Sequence, residues 1–462
     1  MFKEAELASS QSSPTENSVS NQRPVPSHEI QADGPVAVLV CHGMGQQVKF
    51  STISAVAEAI ILEAKAEGAA VEPVQVHLSE ANACSLVRAE VGWRDKDTGR
   101  PHEVHVYEAY WAPVTEGKVT YIDTILFLFQ AARNGFKYSK PFFTRPFQRW
   151  MFGKKNDLPI WSFTWFALLG VLLFLLLQVS VIAFVTLELA RQYKDIVAHP
   201  VPARDVKAFF QWVAPLFPGI QKIVSDRLGT RESWIALGWL FLWLAAIAEA
   251  YFARYFLIQY VGDVAAYISP YKDSKFEDVR ERIQKIGLNV GKAVYGLDNS
   301  GIAPGYKKFV VIGHSLGSVV AYDTLNALIN ADELRIDKER RGVLEHTRAM
   351  ITFGSPLDKT AFLFRSQARK EEDWIREQLA ARVQPLIYDE AHRPETFTWV
   401  NIWSPLDIIS GSIEYYDDPK WSPKDSRHVQ NIKDPDANVP LAAHVQYWGN
   451  RLLRQQIYQY VR

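Results

Sequence analysis

A serine becomes a nucleophile where its hydroxyl is lifted clear of the backbone and a base stands beside it. Ser315, within FVVIGHSLGSVV at 309–320, has neighbours suited to that chemistry. The apolar run 309–312 predicts a buried strand and 318–328 the start of a helix, so Ser315 falls on a sharp strand-to-helix turn. Gly313 and Gly317 stand where a side chain would crowd the turn or the helix packing beneath it, and His314 completes Gly-His-Ser-Leu-Gly. The helix N-terminus behind the serine favours developing negative charge. The pentapeptide alone is weak, because it also arises by chance in chains of this length. A tight turn that merely contains a serine is the competing reading, and the strand before and the helix after weigh against it.

A second glycine loop lies far upstream. Residues 36–41 form a continuous apolar run, read as a buried strand, followed by His42-Gly43-Met44-Gly45-Gln46-Gln47 and a helix over about 51–67. Such a loop can turn backbone N–H groups toward an anion. It lacks the G-K-[ST] ending of a nucleotide site. In an acyl-transfer enzyme the Met44 amide would pair with that of Leu316, the residue after the nucleophile, as an oxyanion hole.

An acid and a base remain to be found. The strand TWVNIW at 398–403 runs into Ser404-Pro405-Leu406-Asp407, and an acidic residue at the carboxyl end of a strand in an open α/β sheet faces the crevice where ligands bind. His444, in LAAHVQYW, follows it, which gives the chain order Ser, Asp, His. Asp358 in GSPLD is a rival acid, one strand too early; His428 is a rival base, in the loop-like DSRHVQNIKDPD.

The elements that must hold these residues read as a mostly parallel α/β sheet flanked by helices. Strands are expected at 74–78, 85–93, 103–111 and 348–353, with DKDTGR as the turn between the second and third, and a helix over 276–295. Residues 360–393 are highly charged and helical in pattern, suiting a cap over a cleft or a plain surface insertion.

Fifty-one basic and 51 acidic side chains leave no net charge to suggest nucleic acid. Cys41 and Cys84 allow at most one bridge, and a reduced compartment fits them. HEVH at 102–105 is one residue short of HExxH, and no metal site is expected. Residues 1–34 are rich in Ser, Gln, Asn and Pro and are expected to be a disordered tail without a signal peptide.

Two stretches are more apolar than a water-soluble domain requires. Residues 160–187 carry no charge over 28 positions, roughly 42 Å of helix, enough to cross a bilayer core of about 30 Å. Trp161 and Trp165 stand at its start, where indoles favour the interface. Residues 234–253 are interrupted by Glu249, close enough to the end to snorkel. The connection, 188–233, mixes Phe and Trp with Lys and Arg and suits a membrane surface or a short packed helix. The expected organisation is therefore a tail (1–34), a first catalytic part (35–159), a transmembrane hairpin (160–253) and a second catalytic part (254–462).

The set HGMG, GHSLGS, TFGSPLD, WSPLDIIS and H-x-x-Y at 444–447 resembles the α/β-hydrolase superfamily, particularly its lipase and serine-esterase branches. The likeness covers about 35–110 and 276–455. It implies Ser315 as nucleophile, Asp407 as acid, His444 as base and the amides of Met44 and Leu316 as oxyanion donors, with no cofactor. The hairpin before the nucleophile strand departs from ordinary soluble lipases. Together these features lead us to expect a bilayer-anchored lipase- or phospholipase-like enzyme acting on lipid esters, its catalytic domain facing the cytoplasm. A lipid or protein thioesterase, and a tethered interaction protein on an inactive scaffold, are the alternatives.

Overall fold

The computed structural model describes residues 34–129 apart from 46, 82, 83, 121, 125 and 128, then 178–187, 240–251 apart from 242, 262–268, 274–298, 305–335 and 340–365. From 384 to 462 it omits 385, 387–393, 395, 408, 415, 418–426, 440 and 441.

Nine strands form one mixed, mostly parallel sheet: β1 (Val36–Cys41), β2 (Ala70–Val71), β3 (Gln75–Ala81), β4 (Cys84–Arg94), β5 (Pro101–Ala109), β6 (Lys308–His314), β7 (Thr347–Phe353), β8 (Thr398–Trp403) and β9 (Gln430–Lys433). Their order is β2-β4-β5-β1-β6-β7-β8-β9, with β3 also on β4. The strands from β5 to β9 along this path are parallel, whereas β2, β3 and β5 pair antiparallel with β4. The strands and helix expected from the sequence are present, with ends shifted by up to a few residues; β2 and β9, short and polar or exposed, carried too little periodicity to be read.

Strand β1 is buried at every position because helices cover both faces of its sheet, which is why VAVLVC shows no alternation. Leu39, Val311 and Met350 point to one side, against α3 (Ser274–Val294) and α4 (Leu316–Glu333). Val38, Val40, Ile312 and Ile351 point to the other, against α1 (Ser51–Ala66) and the terminal helix α7 (Arg451–Val461). Each such side chain contributes on the order of 1.5–3 kcal/mol by leaving water.

Register decides what this core supports. Cys41 is level with Gly313 across β1 and β6, His314 with Phe353 across β6 and β7, and Phe353 with Ile402 across β7 and β8. The loops after these strands therefore emerge side by side on one carboxyl edge of the sheet.

Among the described residues no helix is long and apolar enough to cross a membrane. The predicted spans lie largely outside those residues; 178–187 and the described part of 240–251 are helical. Phe184, Leu187, Phe241 and Tyr251 are exposed there, and the Trp243 indole N–H donates to Thr186 Oγ1 at 3.1 Å. The tail 1–33, the connecting loop and most of the expected cap also fall outside the described residues. Within the cap range, α5 (Leu357–Arg365) is helical, and Leu386 is buried with its N–H bound to Asn326 Oδ1 at 2.9 Å.

Candidate active site

Ser315 lies between β6 and α4 with φ 55° and ψ −130°, a conformation that side chains rarely adopt and that a rigid setting must impose. The setting is visible in its bonds: Ser315 N–H donates to Phe353 O at 3.0 Å, and its carbonyl accepts from the Ser318 N–H at 2.9 Å and the Ser318 hydroxyl at 2.5 Å. Two glycines permit the close approach. A Cβ at Gly313 would come 2.5 Å from Ser318 Cα, and one at Gly317 would drive into the carbonyl oxygens of Cys41 and His42. Gly317→Ala therefore meets fixed backbone, and a loss of roughly 1–3 kcal/mol or more in urea unfolding is expected. Wild-type stability in that variant would show that α4 does not abut the end of β1.

His444 sits in the short helix α6 (Ala443–Gln446), which begins ten residues beyond the end of β9. Its Nε2 is 2.8 Å from Ser315 Oγ and its Nδ1 is 2.9 Å from Asp407 Oδ2. Asp407 also accepts the Ile409 N–H at 2.9 Å on Oδ1 and the Tyr447 hydroxyl at 3.0 Å on Oδ2. Burial alone would raise its carboxyl, but the hydrogen bond and charge of His444, the Ile409 amide and the Lys359 ammonium together hold it down at about 2. An ionised Asp407 can only accept, so Nδ1 carries a proton and Nε2 is left to accept from Ser315. The three groups form one connected relay, all buried.

Comparison with protein-family models, curated proteins and solved structures returned no match. The chemistry of this edge must therefore be read from its own atoms.

The rivals fall elsewhere. Asp358 accepts the Glu414 N–H at 3.0 Å, and His428 pairs with Asp417 at 3.0 Å. Neither contact reaches Ser315.

The loop 42–45 lies directly against the serine: a Cβ on Gly43 would come 2.9 Å from His314 Nδ1 and 3.1 Å from Ser315 Cβ. This puts Met44, the next residue, beside the turn, while Leu316, first in α4, has an N–H with no acceptor inside its helix. Gly45 turns the chain away with φ 89° and donates its N–H to Asp263 Oδ2 at 2.7 Å.

His42 and His314 are structural supports rather than proton carriers. His42 Nδ1 donates to Gly43 O at 2.8 Å, its Nε2 accepts from the Trp111 and Ala112 amides at 3.0 and 3.3 Å, and its ring stacks on Trp111. Burial pushes it down to about 4. His314 Nε2 donates to the His444 carbonyl at 3.1 Å while its ring stacks on Phe353. Burial and the nearby His444 push it down to about 3, so both rings stay neutral at ordinary pH.

Several supporting residues escaped the sequence reading. Gly354, with φ 58°, lets His444 close in, since a Cβ there would be 3.2 Å from His444 Cε1. The FGS sequence at a strand end was the available signal. Lys359 donates to Ile409 O and Ser410 O at 2.9 and 2.6 Å, tying down the loop that carries Asp407; burial lowers its ammonium to about 8 against the pull of Asp407 and Asp358. Nothing in the sequence pairs Lys359 with a loop 50 residues later. Cys41 is a free, buried thiol pushed up to about 12, chiefly by burial, and is chemically quiet.

The HEVH segment does bring Glu103 and His105 to one side of β5, with Glu90 across the strand pair and ligand atoms within 4.8 Å of one another. Arg88 pairs with Glu90 at 2.6 Å, and His105 Nδ1 is 2.6 Å from the Tyr306 hydroxyl. These partners make the group an ion-pair and hydrogen-bond network.

Proposed function

We propose that the protein is a membrane-anchored serine hydrolase of the α/β-hydrolase type that cleaves carboxylic esters of lipids. The observation that carries this reading is the relay from Ser315 Oγ to His444 Nε2 at 2.8 Å and from His444 Nδ1 to Asp407 Oδ2 at 2.9 Å. Its chain order and its seat on a strand-to-helix turn support the same reading.

As Ser315 Oγ bonds to the ester carbonyl carbon, His444 Nε2 takes its proton and Asp407 stabilises the imidazolium. The Met44 and Leu316 amides receive the oxyanion. Collapse breaks the carbon–oxygen bond to the leaving alcohol, which takes the proton from His444. Water then attacks the acyl-serine by the same route, releasing the acid and restoring Ser315. Each step uses only side chains and amides of this chain.

Lipid esters are the proposed substrate class because of the apolar stretches at 160–187 and 234–253 and the outward-facing apolar side chains on their described parts. A bilayer holding those stretches would bring lipid to the carboxyl edge. The two stretches return the chain to its starting side, and we assign the catalytic residues to the cytoplasmic side. A cysteine placed at Ser225 is expected to react with an impermeant thiol reagent on intact cells, and one at Ser13 only after permeabilisation. Reaction at Ser13 in intact cells would reverse the orientation, and reaction at neither would leave an insertion confined to one leaflet.

A fluorophosphonate probe tests the chemistry, because only an activated serine is phosphonylated. Wild-type protein is expected to label, Ser315→Ala not. A folded wild-type protein that does not label would favour a binding scaffold without catalysis. Matched oxyester and thioester substrates with one acyl chain then rank the two bond types.

A further inference from the structure

The loop 42–47 is gripped by the two chain segments that flank the apolar insertion. On the outgoing side, Trp111 and Ala112 bind His42 through their amides, and the Tyr110 hydroxyl donates to Gln47 O at 2.9 Å. Gln47 in turn donates to Met44 O at 2.9 Å. On the returning side stands Asp263, in α2 (Gly262–Ile268), whose carboxylate accepts the Gly45 N–H at 2.7 Å, near Thr115, whose hydroxyl donates to Ala112 O at 3.1 Å. The two sides also meet directly: a Cβ on Gly262 would lie 3.2 Å from Val119 Cγ1.

We propose that Asp263 is a positioning residue for the oxyanion loop, its carboxylate holding Gly45 so that the preceding Met44 amide faces the carbonyl oxygen of the ester attacked by Ser315. This rests on the hydrolase reading above. Asp263 is buried, its bond to Gly45 crosses 218 residues of sequence, and none of the described residues between His42 and the start of α1 belongs to a strand. A buried carboxylate carries a desolvation cost, which raises Asp263 to about 6 and is only partly compensated by the backbone donor one residue from the proposed oxyanion amide. The Met44 N–H acts on charge that develops only in the transition state, so displacing it lowers kcat and leaves KM nearly unchanged. Through Asp263 the chain that returns from the apolar insertion reaches the reaction centre.

The test uses the full chain in detergent micelles with a soluble short-chain nitrophenyl ester, with Ser315→Ala as background. Asp263→Ala is expected to lose about 10²-fold in kcat with KM within about threefold of wild type. Asp263→Asn, whose amide oxygen can take the Gly45 N–H and whose NH₂ can meet Thr115, is expected to recover most of that loss. Asp263→Glu keeps the charge but moves the acceptor by one methylene, and is expected to be impaired like alanine; it decides the matter if the alanine variant does not fold. Melting temperatures taken alongside separate loss of fold from loss of kcat. Wild-type kcat in the alanine or glutamate variant, or an asparagine variant as slow as alanine, overturns the positioning role while the Ser315-dependent turnover of wild type stands. No Ser315-dependent turnover in wild type overturns the hydrolase reading and this proposal with it.

Discussion

Ser315→Ala is expected to lower ester turnover by about 10⁴- to 10⁶-fold and to abolish phosphonylation, the largest effect of any single change in this chain. The size follows from the coupling. With Oγ gone, the His444 imidazole 2.8 Å away has no proton to take, and the residual rate comes only from water near the oxyanion loop. Stability should change little, because a buried hydroxyl is exchanged for a methylene-sized void and the turn itself is held by backbone bonds to Phe353 and Ser318. The measurement is kcat on a soluble ester beside a thermal melt. An alanine variant that melts like wild type and still turns over at more than about a hundredth of its rate would remove Ser315 from the chemistry.

Asp407→Asn is expected to cost about 10⁴-fold in kcat with the fold retained. The hydrogen bonds around the carboxylate dictate why. Ile409 offers a fixed N–H to Oδ1, so the asparagine oxygen must stay there and its NH₂ falls where Oδ2 was, facing His444 Nδ1. Two donors cannot share that position, and the imidazole shifts to the tautomer with its proton on Nε2, where it cannot take one from Ser315. The wild-type carboxyl, held down at about 2, is ionised throughout any ordinary assay range, so protonation of Asp407 does not mimic the variant there. Asp358→Asn, which disturbs a bond to the Glu414 amide, is expected to stay within about tenfold of wild type. The opposite ranking of the two aspartates would assign the acid to Asp358.

Much of this edge is legible in the sequence because backbone geometry imposes residue types. Only glycine fits at 313 and 317, where neighbouring backbone leaves no room for a Cβ, and a parallel strand covered on both faces is written as an unbroken apolar run such as VAVLVC or FVVI. Ser315, Asp407 and His444 could be ranked by chain order and strand ends, and those same three make the 2.8 and 2.9 Å contacts. The apolar length of 160–187 likewise needs no tertiary context to be recognised as unusual.

What the linear chain could not express are bonds between residues far apart whose types are individually ordinary. Gly45 meeting Asp263 across 218 positions, Lys359 binding the loop of Asp407, and Tyr447 joining the same carboxylate depend on which strands lie side by side. The order β5-β1-β6-β7-β8-β9 is set by packing of two helical layers on one sheet, and a hydrophobic pattern specifies that a strand is buried without naming its neighbour. The sequence by itself determined the local geometry at the serine and the candidates for its partners. The tertiary structure decided that His444 rather than His428 meets Ser315, and that Asp407 rather than Asp358 meets His444, because parallel register brings the ends of β6, β7 and β8 level and α6 back over them.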